Sequence, residues 1–156
     1  MPMTIPDQII NKVDEVKNLY ERLILIVSPS GSGKTSALQE VSSRTGAPIV
    51  NVNLELSKCL LDLGQKKRQL KLPTLLDDII RKREDTLLLL DNIELLFDTN
   101  LKLKPLSLLQ TVSRNKTLVV SWNGHIANDR LLYAEPGHHE YRECDIKGLQ
   151  LISPDL

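Results

Sequence analysis

The 156-residue chain is long enough for one domain with one apolar core, and residues 1–156 are expected to form that single domain. Its 20 lysines and arginines balance its 20 aspartates and glutamates, so no global charge draws it to nucleic acid or to a membrane. Aromatic residues make up only 3% of the sequence, which argues against binding single-stranded nucleic acid by base stacking.

The N-terminal residues and the longest apolar runs indicate a protein that stays in the cytoplasm. The first ten residues, MPMTIPDQII, contain an aspartate and two prolines that interrupt the apolar run a secretory signal needs. The longest aliphatic runs have the length of strands and are far too short to cross a membrane. Cys59 and Cys144 lack metal-ligand spacing and are typical of reduced thiols.

Helical and extended patterns alternate along the chain. Apolar spacing predicts an N-terminal helix within residues 1–22 and four more helices: one that carries Leu38 and Val41 and ends near Gly46, and others at 54–63, at 74–83 and from Pro105 onward. Strands are predicted at 23–28, 48–53, 86–90 and 117–121. Gly64 and the basic run QKKRQLK are expected to separate the two central helices, with Pro73 in the first turn of the second. Within residues 125–156, the turn signal EPGH predicts a C-terminal hairpin.

This alternation predicts an α/β fold. Several of the predicted strands are apolar throughout, as expected where a parallel sheet is covered by helices on both faces. We therefore expect a three-layer fold with a mostly parallel sheet.

The stretch SPSGSGKT, residues 28–35, follows the first strand and opens a helix, as phosphate-binding loops do. Ser28 stands where that motif has glycine, but the phosphate-contacting part, GSGKT, is intact. Lys34 is expected to reach the β- and γ-phosphates of a nucleotide, and Thr35 to place its hydroxyl on Mg²⁺. The alternative, a Gly/Ser-rich turn that binds nothing, is disfavoured by the strand–loop–helix context. The predicted nucleotide-binding residues are Pro29, Ser30, Gly31, Ser32, Gly33, Lys34, Thr35 and Ser36.

A second motif, LLLLDNIELLF, ends a buried strand with Asp91. An aspartate at this point can hold the hydration shell of Mg²⁺, so Thr35 and Asp91 are the predicted metal residues. P-loop ATPases with this order of motifs usually have a glutamate after the aspartate to polarise the attacking water, and here the residue is Asn92. Glu94 is the nearby carboxylate that can replace it, although an ordinary solvated carboxylate at a helix start is an equal alternative.

The third motif, LVVSWNG, together with the first two, resembles an AAA+ core. In that group a polar residue at the end of the fourth strand reads the γ-phosphate, a role that falls to Asn123, with Ser121 as a weaker candidate. An arginine acting on a neighbouring subunit is typical of the group; Arg130 is the first candidate and Arg114 the second. Little more than a hairpin follows Asn123, so the helical lid domain of the group is expected to be lacking.

SPSGSGKT, LLLLDNIELLF, VVSWNG and the tail LLYAEPGHHEYRE, in this order, resemble BrxF, the family of small P-loop proteins of type III BREX bacteriophage-defence systems. The resemblance implies a nucleotide-binding component that works with other BREX proteins. The residues themselves indicate only the nucleotide site.

Three functions are consistent with these motifs. The first is an ATPase that uses ATP and Mg²⁺ and forms nucleotide-dependent homo-oligomers. The second is a nucleotide-gated interaction module with little turnover, which Asn92 and the missing lid favour. The third is a small P-loop kinase, although the arginines do not cluster as they do in kinase lids. The run QKKRQLK can face DNA or a protein partner, or can be plain solvated surface.

Overall fold

The computed structural model describes residues 3–29, 31, 33–134 and 142–153. These residues form five helices: α1 (Ile5–Val16), α2 (Lys34–Thr45), α3 (Val52–Leu60), α4 (Gln65–Arg81) and α5 (Pro105–Val112). The seven strands are β1 (Leu23–Ser28), β2 (Ile49–Asn51), β3 (Leu87–Asp91), β4 (Thr117–Ala127), β5 (Arg130–Tyr133), β6 (Arg142–Asp145) and β7 (Gln150–Ile152). Two short 3₁₀ turns, Glu94–Phe97 and Thr99–Leu101, follow β3.

The strands form one seven-stranded sheet with the predicted α/β character. Five strands lie parallel in the order β2-β3-β4-β1-β7. The last part of β4 extends past this sheet and pairs antiparallel with β5, which pairs antiparallel with β6. The carboxyl ends of β1 and β3 therefore open at the same edge of the sheet, as in other parallel α/β sheets that bind ligands there.

Apolar clusters on both faces of the sheet make the fold three-layered. Alternate residues of β1 point to opposite faces: Leu25 and Val27 pack with α3, α4 and α5, whereas Ile24 and Ile26 pack with α1 and α2. All four side chains are at most 1% exposed. The uniformly apolar sequence of β1 thus reflects burial on both faces.

Helix α1 is fixed at its start by a capping box and by α2. Thr4 and Asp7 exchange side-chain and backbone hydrogen bonds, both of 3.2 Å. Asp7 also accepts a hydrogen bond of 2.6 Å from Arg44 of α2. The bonds from Arg44 and Thr4 lower the pKa of Asp7 from its ordinary 3.8 to about 2.

The central helices differ from the prediction. Helix α4 continues through the basic run and contains Pro73 in its interior, so the predicted break and the first-turn position of this proline are wrong. Burial decides the outcome, because Leu72 and Leu76 lie on either side of the proline with 0% exposure in the core. Strand β2 ends at Asn51 instead of residue 53, since the Asn51 side chain caps α3 by accepting the Leu54 N–H at 3.0 Å.

The strands of the C-terminal part also differ from the prediction. Strand β4 continues six residues past the expected end at 121, and β5 returns along it. Gly124 is required there, because a Cβ atom would lie 1.8 Å from the Leu132 carbonyl oxygen. The predicted pairing of two extended pieces is present as β5 and β6, while the EPGH turn lies outside the described residues. Strand β7 was not predicted.

Beyond β4, the described residues form strands and turns and contain no helix. Within the same described ranges, no helix has both the length and the apolarity that a membrane crossing requires.

Candidate functional site

The phosphate-binding loop connects β1 to α2 with a tight backbone. Gly31 and Gly33 have φ angles of +81° and +92°, a conformation that glycine adopts at little cost. Ser28 is the last residue of β1 and pairs in register with Asn123 of β4, so its extended backbone does not need a glycine. Ser30 and Ser32 of the predicted loop lie outside the described residues.

Lys34 begins α2 and folds back onto the loop. Its side chain is buried, and Nζ donates hydrogen bonds of 2.8 Å to the Ser28 carbonyl and 2.7 Å to the Pro29 carbonyl. Burial lowers the pKa of Lys34, while the charges of Asp91 and Glu94 act in the opposite direction. These two bonds hold the ammonium group beside the loop, where Lys34 lines the cavity.

Thr35 and Asp91 meet across the site as the sequence predicts. The Thr35 hydroxyl donates a hydrogen bond of 2.8 Å to Asp91 Oδ2. Asp91 ends β3 and is only 6% exposed. A hydroxyl oxygen beside a carboxylate is the donor set that Mg²⁺ uses when it also binds substrate phosphates, so these two residues fit the metal.

Asn92 has a backbone conformation that explains its identity. Its φ angle is +55°, in the left-handed region where asparagine is several-fold enriched over other non-glycine residues. The Asn92 N–H donates to Asp91 Oδ1 at 3.0 Å, and its carbonyl accepts the Asn53 N–H at 2.8 Å. The turn thus orients Asp91 and joins β3 to the start of α3.

Glu94 is held between two asparagine side chains. Asn53 Nδ2 donates to Glu94 Oε2 at 2.6 Å, and Asn123 Nδ2 donates to Glu94 Oε1 at 2.9 Å. The Asn53 Oδ1 atom accepts the Leu95 N–H at 2.8 Å, so this amide is itself fixed by the turn that carries Glu94. Glu94 is therefore a positioned carboxylate and differs from a freely solvated one.

Asn53 is the residue of the site that sequence reasoning missed. The sequence PIVNVN predicts a strand that includes Asn53. The missed signal is Asn51, a favourable N-cap residue, which starts α3 and turns Asn53 toward the carboxyl edge of the sheet.

A cavity of about 220 Å³ lies between these side chains. Its described lining contains Lys34 as its one cation, two carboxylates, and hydroxyl and amide groups. The lining residues are Gly31, Gly33, Lys34, Thr35, Ser36, Asp91, Asn92, Glu94, Ser121 and Asn123. The structure thus brings together most of the predicted site residues at the edge where β1, β3 and β4 meet.

An apolar cleft of about 330 Å³ adjoins the loop on the other side of Lys34. Ile5 and Pro6 from the start of α1 form one wall, and Ile26 and Ala37 contribute apolar surface from β1 and α2. The two cavities share Lys34, Gly33 and Ser36 in their linings, so a polar compartment and an apolar one are joined at the loop.

The two candidate arginines lie away from the cavity of their own chain. Arg130 forms an ion pair of 3.1 Å with Glu143 on the β5–β6 hairpin, and its side chain is 40% exposed. Arg114 pairs with Glu21 at 2.9 Å and stacks over Tyr20 just before β4 begins, at the edge of the sheet opposite the site.

Comparisons with family models and with solved structures each find a match. Among solved structures, the chain is similar to PCH-2 of C. elegans, with 18% identity, 96% of this chain and 40% of that chain covered, and a TM-score of 0.38. The chain thus spans about two fifths of the length of that protein, and a comparison with curated proteins finds no match. Residues 24–120, more than half of the chain, match AAA, the ATPase family associated with various cellular activities. The chain belongs to the AAA family of ATPases.

Proposed function

We propose that this protein binds ATP with Mg²⁺ and hydrolyses it slowly as an isolated chain. The observation that carries the proposal is the Thr35–Asp91 hydrogen bond beside an amide-held Glu94, all within one cavity behind the phosphate loop. The loop amides and Lys34 bind the β- and γ-phosphates. The apolar cleft beside Ile5 and Pro6 has the size and lining suited to a flat base such as adenine.

Thr35 and Asp91 would hold Mg²⁺, which when bound neutralises charge on the β- and γ-phosphate oxygens. Glu94 orients the attacking water and accepts its proton through one carboxylate oxygen. Asn123 Nδ2 contacts that carboxylate and also lines the cavity, so the same amide can turn to a γ-phosphate oxygen. Binding of the γ-phosphate by Asn123 would release Glu94 Oε1 to receive the water.

A second copy of the chain completes the site in this proposal. Lys34 is the single cation in the described lining, whereas phosphoryl transfer gains about 10³–10⁵ in rate from an added arginine. Arg130 is the candidate for that role in trans, and its exposed pair with Glu143 costs at most about 1 kcal/mol to break. Nucleotide-dependent homo-oligomers follow from this requirement.

The biological setting we propose is a BREX bacteriophage-defence complex in the cytoplasm, with other BREX proteins as partners. The support is the resemblance of SPSGSGKT, LLLLDNIELLF, VVSWNG and LLYAEPGHHEYRE to the BrxF family. Co-purification of the tagged protein with the products of neighbouring BREX genes tests this setting, and recovery of the protein alone from phage-resistant cells contradicts it.

A nucleotide-gated interaction module is the second candidate, and the geometry of Glu94 favours it. Both carboxylate oxygens accept hydrogen bonds from asparagine side chains, so the chain by itself holds this group back from water activation. In this case the bound nucleotide controls docking of a partner, with little turnover.

An ATPase assay across protein concentration separates the two candidates. One result supports the ATPase with a trans arginine: turnover per molecule is slow at low protein concentration and increases as the protein self-associates. In that case Arg130→Ala removes the increase. Tight ATP binding without phosphate release at any concentration supports the interaction module instead. Absence of ATP binding, measured by calorimetry with Mg²⁺ present, contradicts both.

A further inference from the structure

The first two turns of α4 carry a concentrated positive charge. Between Gln65 and Lys71 the helix has three lysines and one arginine and no acidic residue. Lys66, Lys67 and Lys71 are exposed, whereas Arg68 is partly buried and donates a hydrogen bond of 2.8 Å to the Leu63 carbonyl. We call Lys66, Lys67 and Lys71 the lysine surface.

The lysine surface is distinctive because three exposed lysines without an ion pair to a described residue lie within seven residues of one helix that contain no carboxylate. Ion pairs elsewhere on the described surface join a lysine or arginine to a nearby carboxylate, as in Lys17 with Asp14 and Arg81 with Asp77. None of the three lysines forms such a pair with a described residue. Lysines at the start of a helix also oppose the positive end of the helix dipole. Helix stability therefore does not explain their presence.

The lysine surface lies near the edge of the sheet that contains the nucleotide site. Gln69, on the same two turns, donates a hydrogen bond of 2.6 Å to the carbonyl of Asn100. Asn100 lies in the 3₁₀ turn that follows β3, and β3 ends in Asp91. The lysine surface thus lies beside the segment that leaves the carboxyl edge of the sheet, where the nucleotide site is.

We propose that the lysine surface binds the phosphate backbone of nucleic acid without reading its sequence. Unpaired lysines on one helix are complementary to a row of phosphates, and the charge-based contact needs no aromatic side chain. A protein partner is less well matched, because lysine is depleted at protein–protein interfaces. The proposal does not depend on ATP hydrolysis, since the three lysines lie outside the nucleotide cavity.

Fluorescence anisotropy with a labelled DNA duplex of about 20 base pairs, and with a single strand of the same length, tests the proposal across salt concentrations. If the three lysines neutralise three phosphates, a plot of log Kd against log salt concentration should have a slope of about 2.7 for the duplex and about 2 for the single strand. A slope of that size predicts binding about a thousandfold tighter at 50 mM than at 1 M salt. The slopes count the phosphates neutralised, and the Kd values of the two arms at the same salt concentration identify which form of nucleic acid the surface prefers.

The variant Lys66→Glu/Lys67→Glu/Lys71→Glu is expected to lose this salt-dependent binding. A matched control, Lys17→Glu/Lys82→Glu/Lys147→Glu, has the same net charge and replaces exposed lysines outside the lysine surface. The control is expected to keep the slope and to bind within a few-fold of the unaltered protein. Circular dichroism and the melting temperature of each variant establish that it is folded.

Four outcomes overturn the proposal. The first is the absence of binding to either DNA at low salt, and the second is equal weakening in the two charge variants. The third is equally tight binding of poly-L-glutamate, which would assign the surface to an acidic protein. The fourth concerns Leu70, which lies among the lysines and is 73% exposed. Loss of DNA binding in Leu70→Ser as large as in the lysine variant would mean that apolar contact carries the interaction.

Discussion

Replacing Glu94 by glutamine tests the proposed chemistry most directly, because the change removes the charge and basicity while keeping the shape. A glutamine oxygen can still accept a hydrogen bond from Asn53 or from Asn123. Its NH₂ group must then face the other asparagine NH₂, so one of the two observed bonds, of 2.6 and 2.9 Å, is lost. The variant thus separates proton acceptance from most of the packing around the site.

The expected losses differ widely in size. A hydrogen bond to a charged group contributes about 1.5–3 kcal/mol, and partial exposure of Glu94 reduces this to about 1 kcal/mol of stability. That change lowers Tm by about 2–4 °C for a chain of this length. Loss of a general base lowers kcat by about 10²–10⁴, or about 2.7–5.5 kcal/mol of barrier. The rate should therefore fall far more than the stability.

Phosphate release at saturating ATP, with Mg²⁺ present and protein concentrated enough to assemble, measures the rate. Calorimetry with a non-hydrolysable ATP analogue checks that affinity stays within a few-fold of the unaltered protein. The control is Glu84→Gln, the same chemical change at an exposed position before β3. If Glu94→Gln turns over within twofold of the unaltered protein while binding is intact, Glu94 is not the base and its amide contacts are only structural.

Four further substitutions, one of them paired with a control substitution, test other parts of the structure. Lys34→Ala should weaken ATP binding by about 10–150-fold, the equivalent of one charged hydrogen bond of 1.5–3 kcal/mol, in calorimetric titrations; unchanged affinity would contradict its role. Asn53→Ala removes a donor to Glu94 and leaves the Leu95 N–H without its acceptor. The free energy of unfolding in urea should therefore fall by about 1–3 kcal/mol, and kcat should change. The control is Asn51→Ala, which removes the N-cap of α3 and should affect stability alone. Gly124→Ala places a Cβ against the Leu132 carbonyl and should destabilise by about 1–3 kcal/mol or more, with a shift in fluorescence from the single tryptophan; a neutral effect would mean that the β4–β5 pairing is wrong. The pKa of Asp7 is lowered to about 2, so the folding stability that its carboxylate contributes is fully present above about pH 4 and is lost as the pH falls through 2. In urea titrations, the difference in unfolding free energy between the unaltered protein and Asp7→Asn should be constant from neutral pH to about 5 and shrink below about pH 4.

Local sequence signals predicted the parts of the site that lie next to one another in the chain. The loop from Ser28 to Thr35 and the strand ending in Asp91 have apolar runs and glycines whose meaning does not depend on distant residues. The structure places Lys34, Thr35 and Asp91 around one cavity as expected, and their roles remain predictions.

Features that depend on distant contacts were missed or placed wrongly. The basic run before Leu72 looked like a helix break, yet burial of Leu72 and Leu76 extends α4 through it. Strand β7 contains only three residues and exists because β1 offers a free edge. Neither outcome has a local signal, since both arise from contacts between segments far apart in the chain.

The backbone after β3 gives a physical reason for the displaced carboxylate. Asn92 has a φ angle of +55°, which orients its N–H toward Asp91 and its carbonyl toward the Asn53 N–H. A glutamate at this position would have to adopt the left-handed conformation at a cost of about 1 kcal/mol or more. The turn then brings Glu94 within 2.6 Å of Asn53 and 2.9 Å of Asn123, whose strand pairs with β1 at the entrance of the phosphate loop. The asparagine that stands in place of the expected catalytic carboxylate therefore shapes the turn that brings another carboxylate, Glu94, to the cavity.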